Sequence, residues 1–198
     1  MTAVSTPTPT TRERLIAAAI EVFLADGYER ARVHDVARAA GMTTGAIYAN
    51  YRGKADLLFD AIADRTDTEL DGLLEGAAGH ETRELLGVLG DRLVQPRRQP
   101  PLLLEAIAAA RRDPTLAELL RERFGERERL VARLVEQGKR DGSIDSALDT
   151  DVLARFCITL ALGALTMSSL ELDTPASEDW HSLIARLLDA CAPAGEST

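Results

Sequence analysis

Apolar side chains recur along this chain at intervals of three and four residues, and no stretch sustains the strict alternation of a strand. Leu15, Ala19 and Phe23, accompanied by Ile16, Ile20 and Leu24, set the pattern near one end. Val152, Phe156, Leu160, Gly163 and Met167 repeat it near the other. Such spacing collects side chains into one stripe along a helix. Aromatics make up only 4% of the residues and β-branched ones are sparse, while Ala, Leu, Arg, Glu and Asp abound. The expected fold class is all-α, with about nine helices.

The breakers divide the pattern. Thr10 and Glu13 have the spacing of a capping box and open a first helix over 10–26, which Gly27 stops by entering a left-handed conformation. A short second helix runs over 33–40 with Val36, Ala37 and Ala40 inward. Gly41-Met42 forms a turn. Thr43 then caps a third helix over 43–51, in which Ile47 and Tyr51 share the buried side. Arg52-Gly53 breaks it. A fourth helix begins near Lys54, carries Leu57, Leu58, Ala61 and Ile62 inward, and continues as a polar connection to about Glu75. Further helices are expected near 82–95, 101–112, 115–140, 149–171 and 177–191. Pro96, Pro100-Pro101, Pro114, Gly142-Ser143 and Pro175 stand at the junctions. The stretch RERFGERER at 121–129 reads as a solvated face laced by i,i+4 pairs.

With 198 residues, 45% of them hydrophobic, the chain can bury a core and divide in two. Residues 1–9, rich in Pro and Thr, read as a disordered tail without the apolar segment of a secretory signal. Cys157 and Cys191 are too few for a disulfide framework and read as buried, reduced thiols. The apolar run FCITLALGALTM at 156–167 falls short of the roughly 20 residues that cross a bilayer, so a cytoplasmic protein with no membrane partner is expected. The net charge of −9 is unevenly spread. Through Lys54 seven cations face five acids, and the remainder is strongly acidic. A cationic first quarter can engage phosphates while the acidic bulk discourages nonspecific contact.

The segment AGMTTGAIYANYRGK at 40–54 is too polar for a core helix and too regular for a loop. Helix, glycine turn and helix make a helix-turn-helix. Ile47 anchors the second helix from beneath, so the opposite face, with Thr43, Thr44, Gly45, Tyr48, Ala49 and Asn50, is free to enter a major groove. Hydroxyls and a phenol suit phosphates. Asparagine suits adenine, and methyl groups suit thymine. Residues 12–62, RERLIAAAIEVFLADGYERARVHDVARAAGMTTGAIYANYRGKADLLFDAI, resemble the N-terminal domain of TetR-family transcriptional regulators. Later helices resemble that family in number, order and apolar ending.

The resemblance implies base-edge roles for His34, Thr44, Gly45, Ala49 and Asn50. It implies phosphate contacts for Arg32, Thr43, Tyr48 and Lys54, with Lys54 at the start of the fourth helix. Three positions depart from the family pattern. Arg32 stands where a capping Thr or Ser is common, with Asp35 as a partial substitute. Thr44 replaces a frequent Lys, and Ala49 a larger side chain. Fewer direct base contacts are expected. Tyr48 could instead cover an apolar edge, His34 could be an ordinary surface histidine, and Tyr51 reads better as core. Arg38 and Arg52 stand between solvated charges and weak phosphate contacts.

The expected organisation is a tail at 1–9, a helix-turn-helix DNA-binding domain at 10–55, and a helical effector-binding and dimerisation domain at 56–198. The last two helices would pair with their symmetry mates in a four-helix bundle through Phe156, Leu160, Gly163, Met167, Leu183 and Leu187. Merely packing the monomer is the alternative for them. In PPLLLEAIAAARR at 100–112, Leu103, Leu104, Ile107 and Arg111 are candidate ligand contacts, with Glu105 a further polar one. The functional expectation is a ligand-responsive regulator, a repressor, that binds palindromic double-stranded operator DNA as a homodimer and is released by a small molecule. The alternative is a DNA-binding protein without an effector. No catalytic residue, metal ligand or cofactor is expected. Glu178 and His181 have the spacing of half a di-iron motif, but no second copy exists, and His34, His80 and His181 lie in separate segments.

Overall fold

The computed structural model describes residues 10–63, 81–95, 102–170 and 172–193. The described residues form nine α-helices and one 3-10 turn, with no strand. In chain order these are α1 (Thr11–Arg30), α2 (Val33–Ala39), α3 (Thr44–Tyr48), α4 (54–63), α5 (Thr82–Asp91), the 3-10 turn Arg92–Val94, α6 (Leu102–Ala110), α7 (Pro114–Asp141), α8 (Thr150–Ser169) and α9 (Ser177–Ala190). The tail at 1–9, the continuation of α4 to Glu75 and the prolines at 96, 100 and 101 lie outside the described residues.

Two compact units divide the chain. The first joins α1–α4 with α6 and the start of α7; the second joins α5, the rest of α7, α8 and α9. This partition differs from a simple cut after residue 55. α6 is separated in sequence from α1, yet its Leu102, Ala106 and Ala109 are buried and it packs on α1.

The capping box forms as expected at the head of α1. Thr10 Oγ1 accepts from the Glu13 amide at 3.2 Å, and Glu13 Oε2 accepts from the Thr10 amide at 2.7 Å. The helix does not stop at Gly27. It kinks there, at φ 71°, and resumes to Arg30. Leu15, Ile16, Ala19 and Phe23 are buried, whereas Leu24 is exposed, because the stripe that α2 and α6 cover is narrower than the apolar stripe in the sequence. Val36, Ala37, Ala40, Ile47, Tyr51, Leu57, Leu58, Ala61 and Ile62 complete this core.

In the second unit α9 lies on α5, with Ile184 against Gly90 and Leu188 against Gly87. The indole N–H of Trp180 donates to the Gly90 carbonyl at 2.9 Å, which fixes that side chain to α5. Glu128 does not pair along its own helix. It takes Arg155 of α8 in a bidentate contact of 2.6 and 2.7 Å, which holds its carboxyl below the usual range. Helix α7 therefore presents part of its charged stretch to α8, not to solvent alone.

α8 is longer and more apolar than its central run suggested. Its 20 residues are enough, by length and composition, to cross a membrane, and only 11% of its most apolar window is buried. The exposed positions Val152, Phe156, Thr159, Gly163, Met167 and Leu170 fall on one side. Cys157 and Cys191 are free and half-buried; burial, and then the nearby Cys191, push the Cys157 thiol up.

Candidate nucleic-acid interface

The turn before the reading helix is built by Gly41, which sits at φ 65°, in the left-handed region that side chains disfavour. The Met42 amide donates back to the Ala37 carbonyl at 2.8 Å and closes the turn. The guanidinium of Arg14 donates to the Ala40 carbonyl at 2.7 Å, tying the end of α2 to α1. Thr43 caps α3: its hydroxyl accepts from the Ala46 amide at 3.3 Å.

α3 has five residues, fewer than expected. The Asn50 amide bonds to the Ile47 carbonyl three residues back, tightening the last turn, and the Asn50 side-chain Nδ2 donates to the Ala46 carbonyl at 2.9 Å. A side chain that competes for helix carbonyls ends the helix early. Asn50 keeps one Nδ2 proton and its carbonyl oxygen, the pair an adenine edge requires.

Ile47 is fully buried beneath this helix. Above it Thr43, Gly45, Tyr48, Ala49 and Asn50 are exposed and Thr44 is half-buried. Tyr48 shows 60% of its surface. Tyr51 is core: its hydroxyl donates to Asp60 at 2.6 Å, and Arg12 reaches the same carboxylate. His34 is exposed at the start of α2, 3.8 Å from Asp35.

The cations of the first quarter are mostly committed. Arg38 pairs with Asp35 at 2.9 Å, so Asp35 does not cap α2, and Arg32 offers no side-chain cap there either. Arg52 grips Asp56 through two side-chain bonds that hold that carboxyl below its usual range. Arg30 donates to the Asp26 carbonyl. Lys54 is half-buried; its Nζ donates to the carbonyls of Tyr28 at 2.9 Å and Glu29 at 3.3 Å and lies 4.3 Å from the centre of the Tyr28 ring. Among the described residues Arg32 is the one cation of this segment with no bonded partner. It is exposed beside the reading helix's support.

The other predicted residues are placed as follows. Leu103, Leu104 and Ile107 are half-buried on α6 and Arg111 is exposed at its end. Glu105 is half-buried, and its carboxylate accepts the Tyr28 amide at 2.6 Å. A groove of about 520 Å³ lies in the second unit, lined by residues that include Asp91, Gln95, Glu178, Trp180 and His181, and by none of the four α6 candidates. His181 Nδ1 meets Asp91 there at 2.7 Å, and among the described residues no group of metal-binding side chains assembles.

Of the predicted dimer residues, Phe156, Gly163, Met167, Leu183 and Leu187 are exposed and Leu160 is half-buried. Sequence reasoning missed Tyr28 and Asp113. The signal for Asp113 was Asp-Pro ahead of a helical pattern, since proline favours the first helical position and aspartate the cap before it. Asp113 Oδ1 accepts the Thr115 and Leu116 amides, at 3.0 and 3.1 Å.

Two family descriptions match the chain. Residues 15–61 match "Bacterial regulatory proteins, tetR family", and residues 81–193 match "BetI-type transcriptional repressor, C-terminal". The HTH-type transcriptional repressor Rv1474c of Mycobacterium tuberculosis is 31% identical over 156 residues, covering 78% of this chain and 79% of its own. The HTH-type transcriptional regulator SrpR of Pseudomonas putida is 46% identical over 55 residues, a match that spans only 26% of SrpR. Salmonella enterica GusR superposes with a TM-score of 0.76 over 96% of this chain and 99% of its own, at 19% identity, a likeness of fold.

Proposed function

This chain belongs to the TetR family of bacterial transcriptional regulators, a non-enzymatic family, and we propose that it represses from palindromic operator DNA as a homodimer and is released by a small molecule. The observation that carries this reading is the exposed face of hydroxyls, phenol and amide above a buried Ile47. A face that polar has no use in packing, and it has the size and chemistry of a major-groove reader.

The division of labour follows from exposure. Arg32, Thr43 and Tyr48 serve phosphates, which fix register without reading sequence. Thr44, Gly45, Ala49 and Asn50 lie where base edges would be, with His34 alongside. Tyr48→Ala weakens binding to operator and random duplex alike, by about tenfold, whereas Asn50→Ala narrows the gap between them, by about 1–3 kcal/mol. Fluorescence anisotropy on an operator recovered by genome-wide pull-down, against a shuffled duplex, measures both. An Asn50→Ala protein that keeps its full preference for the operator would refute the base-edge role.

A dimer is supported by the low burial of α8 and by the exposed apolar stripe on α9. Length and composition alone would also let α8 enter a bilayer. Its place inside a matched repressor domain, and the ion pair of Arg155 with Glu128 near its start, favour a second protein chain as the cover. Binding to DNA places the protein in the cytoplasm. Release requires an effector that binds the DNA-free state better than the DNA-bound one, by a few kcal/mol. Displacement of the operator complex by extracts fractionated for small molecules tests this step; displacement by no fraction would favour a constitutive binder.

A further inference from the structure

Lys54, the residue the family resemblance assigns to a phosphate, is held from inside the protein. Two of its three N–H donors have backbone acceptors, the carbonyls of Tyr28 and Glu29. The ammonium also stands 4.3 Å from the ring centre of Tyr28, within the range of a cation–π contact. Tyr28 is itself pinned at three points. Its side chain is 2% exposed and its ring stacks on Phe23 at 6.0 Å. Its hydroxyl donates to Asp113 Oδ2. Its amide, freed from the helix ladder by the Gly27 kink, donates to Glu105 Oε1 at 2.6 Å.

Each of these contacts reaches a different element. Lys54 opens α4, directly after the reading helix. Tyr28 closes α1. Glu105 belongs to α6, and Asp113 caps α7 with its other oxygen. Hydrogen bonding to Tyr28 lowers the Asp113 carboxyl below its usual range, and the charge of Lys54 contributes in the same direction. Burial and then Asp113 raise the Tyr28 phenol, so it stays protonated and keeps donating. A hydroxyl donating to a carboxylate enriches its ring in electrons, which strengthens the ring's hold on a cation. The three side chains therefore reinforce one another.

We propose that Tyr28, anchored by Asp113 and Glu105, is a positioning residue for Lys54, and that Lys54 is an internal clip between α1 and α4 and not a phosphate contact. The proposal rests on the DNA-binding reading above only for its consequence: the clip sets the angle of the reading helix, and motion at the α6–α7 corner reaches that helix through Tyr28.

The test uses the full chain with Tyr28→Phe, Lys54→Met and the double variant. In hydrogen exchange followed by mass spectrometry, each single substitution is expected to accelerate residues 52–63 about tenfold, because each removes a hydrogen bond to a charged group. Because both act on one unit, the double variant exchanges no faster than the faster single variant, and α8 and α9 are unchanged. In anisotropy titrations across a salt series, both singles bind operator more weakly with the wild-type slope of log affinity against log salt. A slope flatter by about 0.9 in Lys54→Met would make Lys54 a phosphate contact and overturn the proposal. Additive or unchanged exchange would overturn it as well. Should the wild-type protein bind no duplex, the DNA-binding reading fails and the exchange measurements still decide the clip.

Discussion

Replacing Leu183 and Leu187 together by glutamate is expected to leave the protein monomeric at micromolar concentration and to lower operator affinity by about a hundredfold or more. Both side chains are exposed in the single chain, at 48% and 42%, on a face of α9 that adjoins the buried Ile184. α8 carries a second apolar stripe of Val152, Phe156, Met167 and Leu170, each more than half exposed. The proposed homodimer would cover this stripe. Gly163 lies within it, and a Cβ there would meet nothing within 4 Å among the described residues. A closely crossing partner helix gives that glycine a use. Carboxylates facing their symmetry mates would bring like charges together in a desolvated contact, which costs several kcal/mol. The fold of one chain does not need these leucines outward, so the far-ultraviolet dichroism stays unchanged. Light scattering and a gel shift check the two halves of the expectation. A dimer that persists with both glutamates would place the interface elsewhere.

The second large effect concerns the support of the reading helix. Ile47→Ala is expected to destabilise the head by about 2–5 kcal/mol and to abolish measurable operator binding, with Ile47→Val costing about 0.5–1.5 kcal/mol. Ile47 is fully buried and is the one large aliphatic side chain of a helix only five residues long. A helix that short has no stability of its own, so its position depends on that single anchor. The cavity left by truncation lies on the buried side of the helix whose exposed face carries the proposed phosphate and base contacts, and would loosen them together. The single tryptophan, Trp180, belongs to the second unit and would not report the change. Exchange rates of residues 33–51 would, alongside a gel shift. An Ile47→Ala protein with wild-type affinity for operator would show that the reading face is held by something other than this contact.

Much of the head was legible because its determinants are local. The Thr10–Glu13 capping box, the Gly41 turn, the Thr43 cap and the inward spacing of Val36, Ala37, Ile47, Leu57 and Leu58 all act within a few residues of sequence, and the structure has each of them. Helix boundaries for α6 to α9 were readable to within about two residues for the same reason, since proline, glycine and caps act on their immediate neighbours. What escaped were the acceptors of long side chains. Arg38 and Arg52 pair with Asp35 and Asp56 at i,i+3 and i,i+4 spacing, which a sequence can show, but Lys54 reaches the Tyr28 carbonyl 26 residues away, a partner that spacing does not identify. The Tyr28 partner of Glu105 escaped because nothing near Glu105 in sequence shows that α6 packs on α1 beside a kinked helix end.

By itself, then, the amino-acid order determined an all-helical chain, the helix-turn-helix, its polar reading face and the apolar last two helices, all of them consequences of periodicity and short-range bonding. Only the tertiary structure decided which cations remain available, that α6 and the start of α7 pack with the DNA-reading head, and that Tyr28, Glu105, Asp113 and Lys54 meet. The outermost two of those four residues, Tyr28 and Asp113, stand 85 positions apart in sequence, and their meeting depends on how helices cross, which no local pattern encodes.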